Sequence, residues 1–346
     1  MARKPYHRKA NRPISRAAPQ RVLPTPGMAL NLTGAESLAA VYLATAVRQP
    51  RIFRKRIVRI EGTPKAGEWV AVYALPNALI GYGIFQPRTE VAVRIMRFGD
   101  QIPDAAFWGE RLQTAVDLRR TVLRLDQDCD AYRVIHAEGD GFPGLVVDRY
   151  GDCLSAECYS WGMWQRGSAI LERLHALCGT RHALLHPAPN TLAQEGWSAE
   201  SIITPHMPQE VVVQEYGTRM RVRFAGGHKT GFFCDQRSNR RDLAKWCSHR
   251  SVLDLCCYTG GFSLQAKRLG EAAEVTGVDL DEVPLQLARE NAALNRVQIR
   301  FVRADIFPFM RDALRAGRKY DVVVLDPPKL IRNRQELEEG TRAHFD

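Results

Sequence analysis

The 346 residues suffice for two or three domains with separate cores, and 45% hydrophobic with 25% charged residues is ordinary for a globular chain. No apolar run approaches the ~18 residues that span a bilayer, and Met1-Ala-Arg-Lys-Pro-Tyr-His-Arg-Lys9 has no apolar core behind its charges, so membrane-spanning and secreted classes are set aside and a cytoplasmic protein is expected. The net charge of +11 is concentrated: residues 1–60 hold thirteen Lys and Arg against Glu36, leaving 36 bases and 37 acids elsewhere, a front end suited to a nucleic-acid polyanion.

Residues 1–26, rich in Arg, Pro and Ala, read as a basic disordered arm. Over 27–103 short apolar segments separated by Gly, Pro and Asn predict a small β-barrel, with strands at Arg56–Ile60, Glu68–Tyr73, Leu79–Phe85 and Val91–Met96. Arg51, Arg54, Lys55 and Arg56 would form its basic face. From Ala105 the apolar spacing turns helical and predicts a helix to about Leu125. Strands at Ala131–Ala137, Leu145–Tyr150 and Leu154–Cys158, a helix near Gly167–Leu177, and strands near Val211–Glu215 and Met220–Phe224 make residues 104–234 an α+β middle domain. After Asp235 strand and helix alternate, so 235–346 implies a parallel sheet, and the chain as a whole is a multi-domain α/β protein.

The chemistry concentrates in Ser251-Val-Leu-Asp-Leu-Cys-Cys-Tyr-Thr-Gly-Gly-Phe-Ser-Leu264. A buried strand enters a Gly260-Gly261 turn, and a helix begins at Phe262 or Ser263. Glycines let the backbone approach a ligand, and the helix N-terminus favours negative groups. Three further strands end on Asp279, Asp305 and Asp326. Asp279 is placed to accept the ribose hydroxyls of an adenosine, and Asp305 a hydrogen bond from an adenine amino group. Singly, each is an ordinary turn or helix cap; as a series they predict a nucleotide cofactor. Gly139-Asp-Gly-Phe-Pro-Gly144 matches a nicotinamide fingerprint but precedes a strand, so it reads as a hairpin turn. No Walker lysine motif occurs either, which leaves S-adenosylmethionine. Eight cysteines without a Cys-x-x-Cys pair predict reduced thiols and no metal site.

These residues resemble the RlmI-like cytosine-5 methyltransferases of large-subunit ribosomal RNA. The likeness rests on Gly81-Tyr-Gly-Ile-Phe-Gln-Pro-Arg88, Glu138-Gly-Asp-Gly-Phe-Pro-Gly-Leu-Val-Val-Asp-Arg-Tyr150, Lys229-Thr-Gly-Phe-Phe-Cys-Asp-Gln-Arg237, Asp254–Phe262 and Asp326-Pro-Pro-Lys329. It implies a PUA-like RNA-binding barrel, a middle domain adding to the RNA surface, and a Rossmann-like class I methyltransferase domain. It also implies that Gln236 lies near the cofactor, that Asp254, Tyr258 and Gly260 line its methionine end, and that Asp326, the candidate catalytic residue, sits between cofactor and base. Lys229 and Arg237 would join Arg51, Arg54 and Lys55 on RNA, and a homodimer is left open.

Amino-group methyltransferases stack the target base on an aromatic after Asp-Pro-Pro; Lys329 and Leu330 follow here, which favours carbon 5 of a pyrimidine. That chemistry needs a thiolate to attack carbon 6. In the resembled family the nucleophilic cysteine follows a fifth strand, and none of the eight cysteines holds that place. The expectation is therefore an incomplete methyltransferase domain, with Tyr320–Leu325 as an unpaired apolar edge, weak cofactor binding and little turnover. The alternative is a non-catalytic RNA-binding protein with a vestigial cofactor fold.

Overall fold

The computed structural model describes residues 30, 38–189, 191–224 and 232–327. The basic arm, Lys229 and Lys329 lie outside the described residues.

The first sheet has six strands: β1 (Ala39–Leu43), β2 (Arg51–Phe53), β3 (Ile57–Glu61), β4 (Trp69–Ala74), β5 (Ala78–Phe85) and β6 (Val91–Phe98), in the order β2-β6-β5-β4-β1-β3. The pairs are antiparallel except β1 with β4. Among the described residues β2 and β3 do not pair, so hydrogen bonding leaves the expected barrel open. Alternation explains why β4 and β6 are buried almost throughout. Val70, Val72, Val93 and Ile95 face one cluster with Val41 and Ile52, while Trp69, Ala71 and Met96 face another, shared with the next part of the chain.

Helix α1 (Ala105–Asp117) starts where the Asp104 side chain accepts the Phe107 N–H at 2.9 Å. The expected helix to Leu125 instead passes at Leu118–Val122 into one π-turn. Within it the buried Arg119 guanidinium forks onto Asp140 at 2.5 and 2.8 Å, and its Nε donates to the Arg133 carbonyl at 3.0 Å. The middle sheet comprises β7 (Ala131–His136), β8 (Leu145–Tyr150), β9 (Cys153–Cys158), β10 (His182–Pro187) and β11 (Ile202–Ile203), in the order β11-β10-β9-β8-β7. The glycine-rich 139–144 stretch joins antiparallel β7 and β8, as a turn should. Helix α2 (Trp161–Cys178) packs on this sheet, and the short α3 (Thr191–Glu195) follows β10. α2 begins six residues before its expected start: Ser160 caps it, and Gly162 lets its first turn approach Ile84, whose Cγ2 would lie 2.3 Å from an added Cβ.

A hairpin, β12 (Glu210–Glu215) and β13 (Thr218–Arg223), leads to α4 (Arg237–Ala244). Then come β14 (Ser251–Leu255), α5 (Gly261–Arg268), β15 (Glu274–Asp279), α6 (Glu282–Leu294), β16 (Arg300–Arg303), α7 (Ile306–Arg315) and β17 (Val322–Leu325). All pairs in this last sheet are parallel, in the order β16-β15-β14-β17. The strand order reverses between β14 and β17, and ligands of doubly wound sheets bind outside the carboxyl ends of the strands at that point. β17 is an edge among the described residues, with Val323 and Leu325 exposed.

Candidate functional site

The carboxyl ends of the four parallel strands lie side by side along one edge of this sheet, next to the reversal point. β14 is an apolar strand interrupted by Asp254, which is 1% exposed. Its Oδ2 accepts both the Ser263 N–H at 3.0 Å and the Ser263 hydroxyl at 2.6 Å, so the carboxyl closes the first turn of α5. Burial pushes this carboxyl up to about 7 against the Ser263 hydrogen bonds, with smaller upward contributions from Asp279 and Asp326.

Between β14 and α5 the backbone enters the left-handed region three times in five residues, at Cys256 (φ 60°), Tyr258 (φ 50°) and Gly260 (φ 80°). A Cβ at Gly260 would lie 3.1 Å from both the Ala288 Cβ and the Phe301 Cζ, so the turn sits directly on α6 and β16. Asp279, ending β15, reaches across: its Oδ2 accepts the Tyr258 N–H at 2.9 Å and its Oδ1 the Asp281 N–H at 3.0 Å. Asp305 caps α7 by accepting the Phe307 N–H at 2.9 Å and remains exposed. Asp326, past β17, accepts from Gln236 Nε2 at 3.1 Å, and Asn239 holds the other end of that amide at 2.6 Å.

The Cys256 thiol reports on the convergence. It is pushed up to about 11, first by burial and then by Asp279, Asp254, Asp326 and Asp305 together. One point in the turn thus feels all four carboxylates. Cys257 is buried against Gly277, its Sγ 3.0 Å from where a Cβ there would stand.

Two features had no readable signal in the chain. Ser263 is one of many serines near a helix start, and only the fold brings it to Asp254. Leu280 and Val283 are 66% and 74% exposed, two apolar side chains close in sequence to Asp279; their exposure depends on what does not cover them.

The residues expected on RNA are more dispersed. Arg51 and Lys55 are exposed on the first sheet, Arg51 lying 3.7 Å from Glu138. Arg54 is held by the carbonyls of Pro87 and Thr89. Arg237 is half-buried beside Tyr216 with its Nε unpartnered. Among the described residues no His, Cys, Asp and Glu cluster could hold a metal, and no helix is long and apolar enough to cross a membrane.

Comparison with known proteins fits this geometry. Residues 176–342 match the model of the S-adenosylmethionine-dependent methyltransferases, and residues 46–98 that of the PUA-like domain. The chain is 35% identical over 305 residues to ribosomal RNA large subunit methyltransferase I of Aeromonas salmonicida, covering 86% of this chain and 76% of that protein. Against the Vibrio vulnificus protein of the same name it is 33% identical over 321 residues, covering 89% and 80%. Among solved structures it resembles the methyltransferase SMU.776 complexed with SAH, with a TM-score of 0.67 and 23% identity over 79% of this chain and 71% of that one.

Proposed function

This chain belongs to the ribosomal RNA large subunit methyltransferase I family, and from that premise we propose that it directs the methyl group of S-adenosylmethionine to carbon 5 of a cytosine in large-subunit ribosomal RNA. The observation that carries the reading is the set of four carboxylates at the carboxyl ends of adjacent strands, Asp254 and Asp279 bonded into the Cys256–Ser263 segment and the turn packed directly on Ala288 and Phe301.

The residues present suit the cofactor. The carboxylates favour a cationic sulfonium, Asp279 offers acceptors to paired hydroxyls, and Leu280 with Val283 offers apolar surface to an adenine. Tyr258 and Gly260 would hold the methionine end, Asp279 the ribose and Asp305 the adenine. Asp254 acts from beneath through Ser263. When bound, S-adenosylmethionine supplies an electrophilic methyl group. The chain's own part is to orient: Gln236, pinned by Asn239, fixes the Asp326 carboxylate at the edge of the cleft, where it can accept from an amino group of the base. Arg51, Arg54, Lys55, Lys229 and Arg237 would bear on the RNA phosphates.

Carbon-5 transfer also needs a thiolate. Burial pushes up the thiols of all eight cysteines, Cys129 and Cys153 to about 11 and Cys234 well above the usual thiol range. That one observation favours the second reading, a non-catalytic RNA-binding protein retaining a vestigial cofactor fold. Calorimetry tests the shared premise. Asp279→Ala removes a charge-assisted pair of hydrogen bonds, and S-adenosylmethionine affinity should drop by about 10- to 100-fold; unchanged affinity would end the adenosine assignment. Tritiated methyl transfer to large-subunit ribosomal RNA then separates the two readings.

A further inference from the structure

The Cys256–Gly260 turn spends three residues in sparsely populated backbone, two of them non-glycine. Such a conformation persists only when its surroundings over-determine it. Two of the side chains that hold it lead back to one place.

Asn291 on α6 is 1% exposed, and both ends of its amide are used. Its Nδ2 donates to the Thr259 carbonyl in the turn at 3.3 Å, and its Oδ1 accepts the Arg221 N–H of β13 at 2.8 Å. Arg240 on α4 is 2% exposed and makes a two-pronged ion pair with the fully buried Glu215 of β12, at 3.0 and 2.6 Å. Its remaining nitrogen donates to the Phe233 carbonyl at 3.0 Å, and the Phe233 ring stands edge-on against Tyr258 with centroids 5.1 Å apart. The stem of Arg240 lies behind the turn, its Cδ 3.1 Å from where a Cβ on Gly261 would be.

The hairpin at the far end of both links is itself anchored. Gln214 exchanges hydrogen bonds with Asp130, and Tyr216 donates to the Asp128 carbonyl, so β12 is tied to the start of the middle sheet. Gln265 also bonds the hairpin, donating to the Glu215 carbonyl at 2.9 Å and accepting from Thr218 at 3.1 Å, with neither bond reaching the turn.

We infer that Asn291 and Arg240 are positioning residues for the cofactor site, through which the β12–β13 hairpin holds the Cys256–Gly260 turn in its binding shape. Neither is placed to touch the cofactor. The inference rests on the reading of this turn as part of the S-adenosylmethionine site.

Two measurements on the full chain test it. Asn291→Asp keeps the acceptor for Arg221 but sets a carboxylate oxygen against the Thr259 carbonyl. Arg240→Lys keeps a charge for Glu215 but gives up the fork and the Phe233 bond, and it serves if Asn291→Asp does not fold. Gln265→Met is the control, removing hairpin bonds without touching the turn. At a temperature where circular dichroism shows every variant folded, Asn291→Asp and Arg240→Lys should bind S-adenosylmethionine about tenfold more weakly, because the competent turn is less populated. Gln265→Met should lower the melting temperature yet stay within about twofold in affinity. Hydrogen exchange at Tyr258–Ser263 in the free protein should quicken in the first two variants and not in the third. Turn exchange no faster than in the control overturns the inference. Failure of the wild type to bind S-adenosylmethionine would count against the cofactor reading alone, since the exchange result decides the inference without ligand.

Discussion

Asp254 keeps a proton to near neutrality because it is sealed beneath the turn, where the charged form is poorly solvated and Asp279 and Asp326 add to its cost. The consequence for stability has a definite sign. The native carboxyl titrates near 7 and the unfolded one near 3.8, so between those values the native state holds a proton that the unfolded chain has lost. The stabilisation is fully present below about pH 4, declines as pH rises, and is gone above about 7. Asp254→Asn cannot titrate, so its stability relative to wild type should rise across that window, by on the order of 4 kcal/mol at most. Urea midpoints of both proteins from pH 4 to 8 measure this; parallel curves would show that Asp254 does not titrate there. Single residues were legible where one side chain breaks a pattern. Asp279 ends β15 and Asp305 follows β16 by two residues, positions readable without a fold. Asn291 and Ser263 were not, since a buried amide or hydroxyl has meaning only once its partner from a distant segment is beside it.

Elements were legible where local chemistry decided them and illegible where packing did. The β14–turn–α5 unit stood out because an apolar strand, two glycines and a helix follow one another without interruption. Its requirement for glycine is testable. Gly260 adopts φ 80°, and a Cβ there would press on Ala288 and Phe301 at 3.1 Å. Gly260→Ala meets both the left-handed penalty and the contact, so the protein should lose about 1–3 kcal/mol by denaturant midpoint and S-adenosylmethionine affinity should fall with it. A variant as stable as wild type would mean that α6 and β16 yield easily and the turn is not held as tightly as the geometry states. By contrast, β1 and β2 had no clear signal: Leu38–Val47 is an apolar run without alternation, and β1 forms the one parallel pair of its sheet. Helical spacing continues through Leu118–Leu123 and predicts a longer α1, while the change to a π-turn accompanies Arg119 reaching Asp140, a contact 21 residues along the chain.

At the scale of the molecule, the periodic pattern predicted three bodies but not how firmly the first two are joined. One cluster runs from Trp69, Tyr82 and Ile84 of the first sheet through Trp108 to Leu154 and Leu171 of the middle region. Arg94 pairs with Glu195 at 2.7 Å and Arg166 reaches the Gly67 carbonyl at 3.0 Å across the same junction. A basic edge on the first sheet is therefore held at a fixed place relative to the middle sheet, which the β12–β13 hairpin ties in turn to the Cys256–Gly260 segment. The part in RNA binding proposed for Arg51 and Lys55 is measurable. Both are exposed, whereas Arg54 is engaged by backbone carbonyls, so the first two can be replaced without disturbing the sheet. Each phosphate contact contributes roughly 0.7–0.9 to the slope of log affinity against log salt. Arg51→Ala combined with Lys55→Ala should make that slope shallower by about 1.5, measured by filter binding to a large-subunit ribosomal RNA fragment between 50 and 200 mM salt. S-adenosylmethionine affinity should stay as in wild type, because neither residue approaches the acidic cleft. An unchanged slope with weakened binding would assign the two side chains to shape rather than to phosphate, and an unchanged affinity would remove this edge from the RNA surface.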